Sequence, residues 1–258
     1  MRPLIWFRSD LRIADNTALH EACQVADDGV IAVFIICPDQ WNDHDWSSVK
    51  VDFLLRNLAK LSQVLGALNI PLVVIEVPRF SEVPASLLEL AETHRCDGLW
   101  FNLEYEVNEG LRDEEVERAF DRAGKVAHGY TDQVVLPPES IHTNQGKYYT
   151  VFTPYKARWI ATVKEQGGTS TLPTPSRQKD LALAPDPIPA ELREFPGLRR
   201  PDLWPSGEVE AHARLAAFAA RSMQGYHVAR DLPGTAGTSQ LSPYLALGVL
   251  SPRQCLNA

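Results

Sequence analysis

The sequence is poor in several things that would each have narrowed its reading. No apolar run approaches the roughly 18 residues that a membrane-spanning helix needs. Cysteine is scarce: Cys23, Cys37, Cys96 and Cys255 lie far apart, with no CxxC or other metal spacing. That pattern excludes a disulfide framework and fits reduced, mostly buried thiols. No GxGxxG follows the first strand-like run and no GxxxxGK[ST] occurs anywhere, so the usual dinucleotide and nucleoside-triphosphate cradles are absent. Positive charge is also in deficit, with 25 Lys and Arg against 33 Asp and Glu. A chain of net charge −8 is a poor nucleic-acid binder on its own, because phosphate contact needs a basic face. Met1 to Arg8 carries no secretory signal pattern. The expectation is a soluble, cytoplasmic, monomeric protein without membrane attachment.

What is present is enough apolar sequence for a real core. Of 258 residues, 45% are hydrophobic and 22% charged, which excludes a disordered chain and allows one large or two modest domains. Apolar runs alternate with amphipathic stretches through the first half. Strands are expected at Leu4–Phe7, Val30–Ile36, Leu72–Val77, Gly98–Asn102 and Val126–Tyr130. Helices are expected from an Asp15 or Asn16 cap to Ala26, then over Ser47–Leu68, Ser81–His94 and Asn108–Lys125. Strand and helix in alternation predict an α/β fold. Its core is a five-stranded, mostly parallel, doubly wound sheet over residues 1–132, because parallel neighbours require crossover connections. Arg8, Asp10 and Arg12 follow the first strand and read as a structural ion-pair network at the sheet's carboxyl end. Trp41, Trp46, Trp159 and Trp204 look exposed.

Residues 133–206 read as an interdomain connector with one helix near 153–165. Eight of the 19 prolines fall between Gln166 and Ser206, where neither continuous helix nor central strand is possible. Beyond it, residues 207–258 predict an alanine-rich helix over Glu208–Ser222, a loop over Tyr226–Gly237, and two helix starts at Ser242-Pro243 and Ser251-Pro252. Each start places a hydroxyl at the cap and proline at the first helical position, and Gly248 can end the first helix. These residues look like the front edge of something larger. Residues 206–258 hold four basic and three acidic side chains, leaving 21 basic against 30 acidic in the remainder, so any DNA contact belongs downstream.

Thr238, Ser239 and Ser242 gather three hydroxyls at a helix start behind Gly237. Two readings stay open: an ordinary capping loop, or an anion site with Gly237 allowing close approach of a phosphate. The residues also resemble a family. Trp6-Phe7-Arg8-Ser9-Asp10-Leu11-Arg12 with Asp15-Asn16, then Tyr105–Glu109, Leu136–Pro138, Phe152–Lys156, Tyr226, Arg230-Asp231, Gly237–Ser242 and Gly248–Arg253, resemble in order the DNA photolyases and cryptochromes. The bacterial class I cyclobutane pyrimidine dimer photolyases resemble the chain most. The resemblance implies an α/β antenna domain followed by the truncated start of an all-α FAD-binding domain. It implies light-driven, FAD-dependent splitting of pyrimidine dimers in damaged DNA, and a chain that is inactive alone. By matching position it assigns Tyr226, Thr238, Ser239, Gln240, Leu241 and Ser242 to FAD, and Arg230 to DNA. It assigns His44, Asn108 and Glu109 to an antenna chromophore, 5,10-methenyltetrahydrofolate, with a deazaflavin or second flavin as alternatives. It implies no catalytic residue and no metal in this chain. Plainer roles stand beside these: Tyr226 as a core aromatic, Arg230 paired with Asp231, Asn108 capping its helix and Glu109 supporting its dipole, and His44 solvated in the loop Trp41–His44. A cryptochrome, or a non-catalytic chromophore- or nucleotide-binding module with 206–258 packed on the α/β domain, are the alternative functions.

Overall fold

A computed structural model describes every residue of the chain except Leu198. In chain order the elements are β1 (Pro3–Phe7), α1 (Thr17–Val25), β2 (Ile31–Ile36), α2 (Pro38–Asp43), α3 (Ser48–Ala67), β3 (Leu72–Glu76), α4 (Val83–Thr93), β4 (Gly98–Asn102), α5 (Val107–Arg122) and β5 (Val126–Tyr130). They continue as α6 (Phe152–Glu165), α7 (Glu208–Arg221), α8 (Tyr226–Ala229), α9 (Ser242–Ala246) and α10 (Pro252–Leu256).

The strands form one sheet in the order β3-β2-β1-β4-β5, every pairing parallel. β1, β2 and β4 are buried throughout. That is why they read as unbroken apolar runs such as Ile31–Ile36 rather than alternating ones: helices cover both faces. α3 turns Val51, Leu54, Leu55, Leu58, Leu61 and Leu65 inward, its Ser47 cap accepting from Lys50 N at 3.3 Å. α1 is capped by Asn16, which accepts from Leu19 N at 3.0 Å. Asp15, the other candidate, is wholly buried at φ 54° and points elsewhere. Chain order reverses between β1 and β4, so their carboxyl ends bound the crevice where doubly wound sheets offer room for ligands.

Four local expectations are corrected. Trp41–His44 is not simply a loop: Pro38–Asp43 is helix α2, with proline at its first turn, where the ring presets φ and no amide hydrogen is missed. Trp41 is not exposed but buried, stacked on Trp46 at 4.8 Å and 7°. Ser242 does not cap α9; Leu241 holds that position without a side-chain cap, whereas Ser251 caps α10 in a full capping box with Gln254. Asn108 does not cap α5, whose cap position is Glu106.

The proline-rich stretch has no helix or strand among its described residues, yet it is fastened down. Gln178 N donates to Leu68 O and Asp186 N to Leu72 O, both at 2.8 Å, and Val74 N donates to the Asp186 carboxylate at 2.9 Å. Leu192 and Phe195 enter the main core. Before it, α6 shares a small separate cluster of Leu136, Ile141 and Val163.

The last residues divide sharply. From Leu241 onward the chain is docked: Tyr244, Val249 and Leu250 are fully buried in the same core as the sheet, and Leu11 N donates to Leu247 O at 3.0 Å. Gly248 ends α9 at φ +59°, and a Cβ there would lie 2.1 Å from Ser9 O. Arg253 reaches Asp15 at 3.0 Å and Asp132 at 2.7 Å. Asp132 also pairs with the buried Arg12, whose Nη1 donates to Gly248 O at 3.0 Å. In contrast Met223, Tyr226, Val228 and Leu232 are all exposed.

Candidate functional site

The crevice at the ends of β1 and β4 is filled by charge. Arg8 bonds Asp113 at 2.7 Å and Arg112 bonds Glu104 at 2.7 Å, all four buried. Both guanidiniums face the Trp6 ring, at 4.0 and 4.7 Å from its centroid, which satisfies their apolar sides as well as their charge. Burial pushes the Glu104 carboxyl up, but Arg8 and Arg112 outweigh it and hold the group at about 2. Asp10 goes the other way: burial raises it against the backbone bond from Arg8 and the nearby arginine charges. Arg8, Asp10 and Arg12 thus tie the sheet's carboxyl end to its loops. With Trp41 and Trp46 closing one side, about 60 Å³ remains free. Small-molecule pockets run to about 300–1,000 Å³. A three-ring chromophore has no room inside.

Outside it the surface opens. A groove of about 830 Å³ runs between α4 and α5 from Gln40 and Asn108 to Arg122, walled by Phe80, Leu88 and Leu111. At its mouth the structure brings together two predicted residues 64 positions apart: Asn108 Nδ2 lies 3.0 Å from His44 Nε2. His44 is half-buried rather than solvated, with its ring edge-on to Phe80 at 6.1 Å. Glu109 is adjacent on α5 and borders the inner crevice. Two neighbours went unnoticed in the sequence. Gln40 Nε2 meets His44 Nε2 at 3.1 Å. Lys50 sits 3.3 Å above the Trp46 ring; burial pushes its ammonium down in pKa, against the pull of Glu109, Glu104 and Glu106. The i, i+4 spacing of Gln40 and His44 was the available signal, hidden because α2 was not foreseen.

The hydroxyl loop enters the main core at one end only. Leu241 is buried, while Thr238, Gln240 and Ser242 are exposed and Ser239 is half-buried. Ser239 Oγ accepts from Leu241 N at 3.4 Å, and Gln240, at φ 51°, accepts from Arg214 at 2.9 Å. Ser242 borders a cleft of about 360 Å³ between the first turn of α3 and α9. Gly237 serves packing: a Cβ would fall 2.2 Å from Ala229 Cβ. Tyr226 is not a core aromatic; it is exposed, edge-on to Phe218 at 5.8 Å and under Arg230 at 6.0 Å. Arg230 is exposed and 3.7 Å from Asp231. The structure therefore keeps the two groups apart: His44 and Asn108 at the end of the groove with Glu109 facing the inner crevice beside them, and Tyr226 and Thr238–Ser242 in the terminal segment.

Fold and sites together define a doubly wound α/β unit carrying a docked helical segment. The chain belongs to the DNA photolyase family, whose model matches residues 3–176. It is similar to the deoxyribodipyrimidine photo-lyase of Vibrio cholerae serotype O1, at 36% identity over 98% of this chain and 54% of that one. It is similar also to the enzyme of the same name from Escherichia coli K12, at 35% identity over 98% and 53%. Among solved structures, a class III photolyase from Agrobacterium tumefaciens superposes with TM-score 0.80 at 25% identity, covering 98% of this chain and 52% of that chain. The chain thus spans about half the length of these relatives. No described helix is long and apolar enough to cross a membrane.

Proposed function

We propose that the chain carries the antenna unit and the first helices of the flavin-binding unit of a light-driven DNA-repair photolyase. The observation that carries this reading is the meeting of His44 with Asn108 at the groove mouth beside Glu109, while the inner crevice is filled. In this reading the antenna chromophore is 5,10-methenyltetrahydrofolate. Glu109 and Asn108 bond its pterin edge, and the apolar groove walls cover the rest of the molecule. The filled crevice weighs against a deazaflavin or second flavin lodged inside the sheet's end.

For the flavin, the exposed hydroxyls of Thr238 and Ser242 and the loop amides face the phosphates, with buried Leu241 as their anchor. Tyr226 packs on the cofactor and Arg230 meets DNA phosphate. Reduced FAD, when bound and illuminated, supplies the electron that opens a cyclobutane pyrimidine dimer flipped out of damaged DNA. The chain's own share is narrower: it positions the antenna and presents one wall of the flavin site. Ordering residues 222–240 around a cofactor without further packing is uphill.

A visible spectrum of the purified chain, after incubation with 5,10-methenyltetrahydrofolate and FAD and then dialysis, tests this. Folate absorption is expected to remain and flavin absorption to wash out, with no light-dependent repair. Loss of folate sinks the antenna assignment; retained flavin with repair sinks the half-site reading. One observation favours the non-catalytic module instead, the docking of α9 and α10 on the α/β unit. The exposed stretch 222–240 counts against it.

A further inference from the structure

The groove mouth has a hydrogen-bond polarity, and one residue sets it. His44 Nε2 has two close partners, Gln40 Nε2 at 3.1 Å and Asn108 Nδ2 at 3.0 Å. Both are carboxamide nitrogens, which donate and cannot accept. With both carboxamides in this orientation His44 Nε2 accepts, and in the neutral ring the hydrogen then sits on Nδ1. The orientation of Gln40 is not free: its Oε1 accepts from Phe80 N at 3.4 Å, which leaves Nε2 as the atom that faces the imidazole. α2 places Gln40 and His44 one turn apart, and the edge-on Phe80 ring braces His44 from the side.

We propose that Gln40 is the positioning residue of this site, holding His44 in the Nδ1–H form and thereby selecting an amino-pterin over a dione-edged ring. The ligand half of this proposal rests on the antenna reading above. With Nε2 bare, Asn108 spends its Nδ2 on His44 and keeps Oδ1 for a ligand. Reversing Asn108 would set Oδ1 against the bare Nε2, two acceptors face to face. Glu109, next along α5 and bordering the inner crevice, also only accepts as a carboxylate. The mouth thus offers acceptors to whatever binds there. The edge of a 2-amino-4-oxopterin supplies adjacent donors, the ring N3–H and the 2-amino group. A flavin or lumazine places a carbonyl where the amino group would be, and that carbonyl meets an acceptor. A site built to bond one pattern rejects the other because its buried or half-buried polar groups are left unpaired.

Gln40→Glu inverts the arrangement while keeping an acceptor for Phe80 N. A carboxylate facing Nε2 requires a hydrogen there, and Asn108 is then free to turn. Long-range ¹H–¹⁵N spectra of the full chain, at about pH 8 and so above the ordinary imidazole range, report which ring nitrogen of His44 carries the proton. The Nδ1–H pattern is expected in the parent chain and loss of it in Gln40→Glu. Calorimetric titration supplies the second readout, with 5,10-methenyltetrahydrofolate and riboflavin as probes. The folate-over-riboflavin preference is expected to fall about tenfold in Gln40→Glu, the loss typical of one hydrogen bond. An Nε2–H pattern in the parent chain overturns the proposal whether or not the variant folds. An unchanged preference in a folded Gln40→Glu overturns it too. Failure of both probes to bind, with the Nδ1–H pattern intact, upholds the tautomer lock and sinks the antenna reading.

Discussion

Residues 241–256 and residues 222–240 are neighbours in sequence and opposites in structure. The first stretch buries Tyr244, Leu247, Val249 and Leu250 and closes an ion-pair network with Asp15 and Asp132. The second exposes Met223, Tyr226, Val228 and Leu232. The resemblance assigns both to one cofactor-binding unit, yet only the first packs into the core of the sheet. In the proposed reading, docking to the sheet and forming a flavin site are separate events. Short helices such as α9 and α10, too brief to hold themselves, are ordered here by tertiary contact alone.

Substitutions can break that contrast. Asp132→Ala leaves Arg12 buried without its partner and removes one of the two carboxylates that hold Arg253; a loss of about 4 kcal/mol is expected, read from urea unfolding. Gly248→Ala forces a Cβ against Ser9 O in left-handed backbone; about 3 kcal/mol and rapid proteolysis beyond Tyr244 are expected. A wild-type midpoint in either variant would show that docking contributes nothing to the α/β unit. Glu104→Gln costs about 2 kcal/mol at pH 7. Because the folded carboxyl lies below its ordinary 4.5, at about 2, that gap closes as pH falls between those values. Asp10, raised by burial, works in the opposite sense and flattens the wild-type acid limb. Thermal midpoints of both proteins across that range check the sign. Gly237→Ala has as severe a steric clash, 2.2 Å from Ala229, but its neighbour belongs to the short helix α8 and not to the sheet's core. A cost under about 1 kcal/mol is expected there, since α8 is free to shift; a larger one would erase the distinction between the two stretches.

Much of this was legible in the sequence, for identifiable reasons. The sheet was, because β-branched runs such as Ile31–Ile36 and the leucine spacing of α3 leave few alternatives. α2 was missed because Pro38 reads equally as the end of a strand and the start of a helix. The docking of the terminal segment entered the sequence reading only with an alternative function, because it depends on pairs such as Arg253 with Asp15, 238 positions apart, which no local pattern announces. At the site, Asn108 and Glu109 emerged from the resemblance; Gln40 did not, since its role exists only once α2 turns it toward His44.

The fastening of the proline-rich stretch along β3 has a further consequence. β3 is a flank of the sheet, and its amide at Val74 and carbonyl at Leu72 would otherwise stand open to any passing strand. Asp186 occupies both with its carboxylate and its own amide, and the prolines on either side of it, Pro185 and Pro187, have no N–H to offer an intruder. A segment whose composition suggests mere slack acts as a selvedge, sealing one flank of the sheet against the self-templated growth that ends in aggregates.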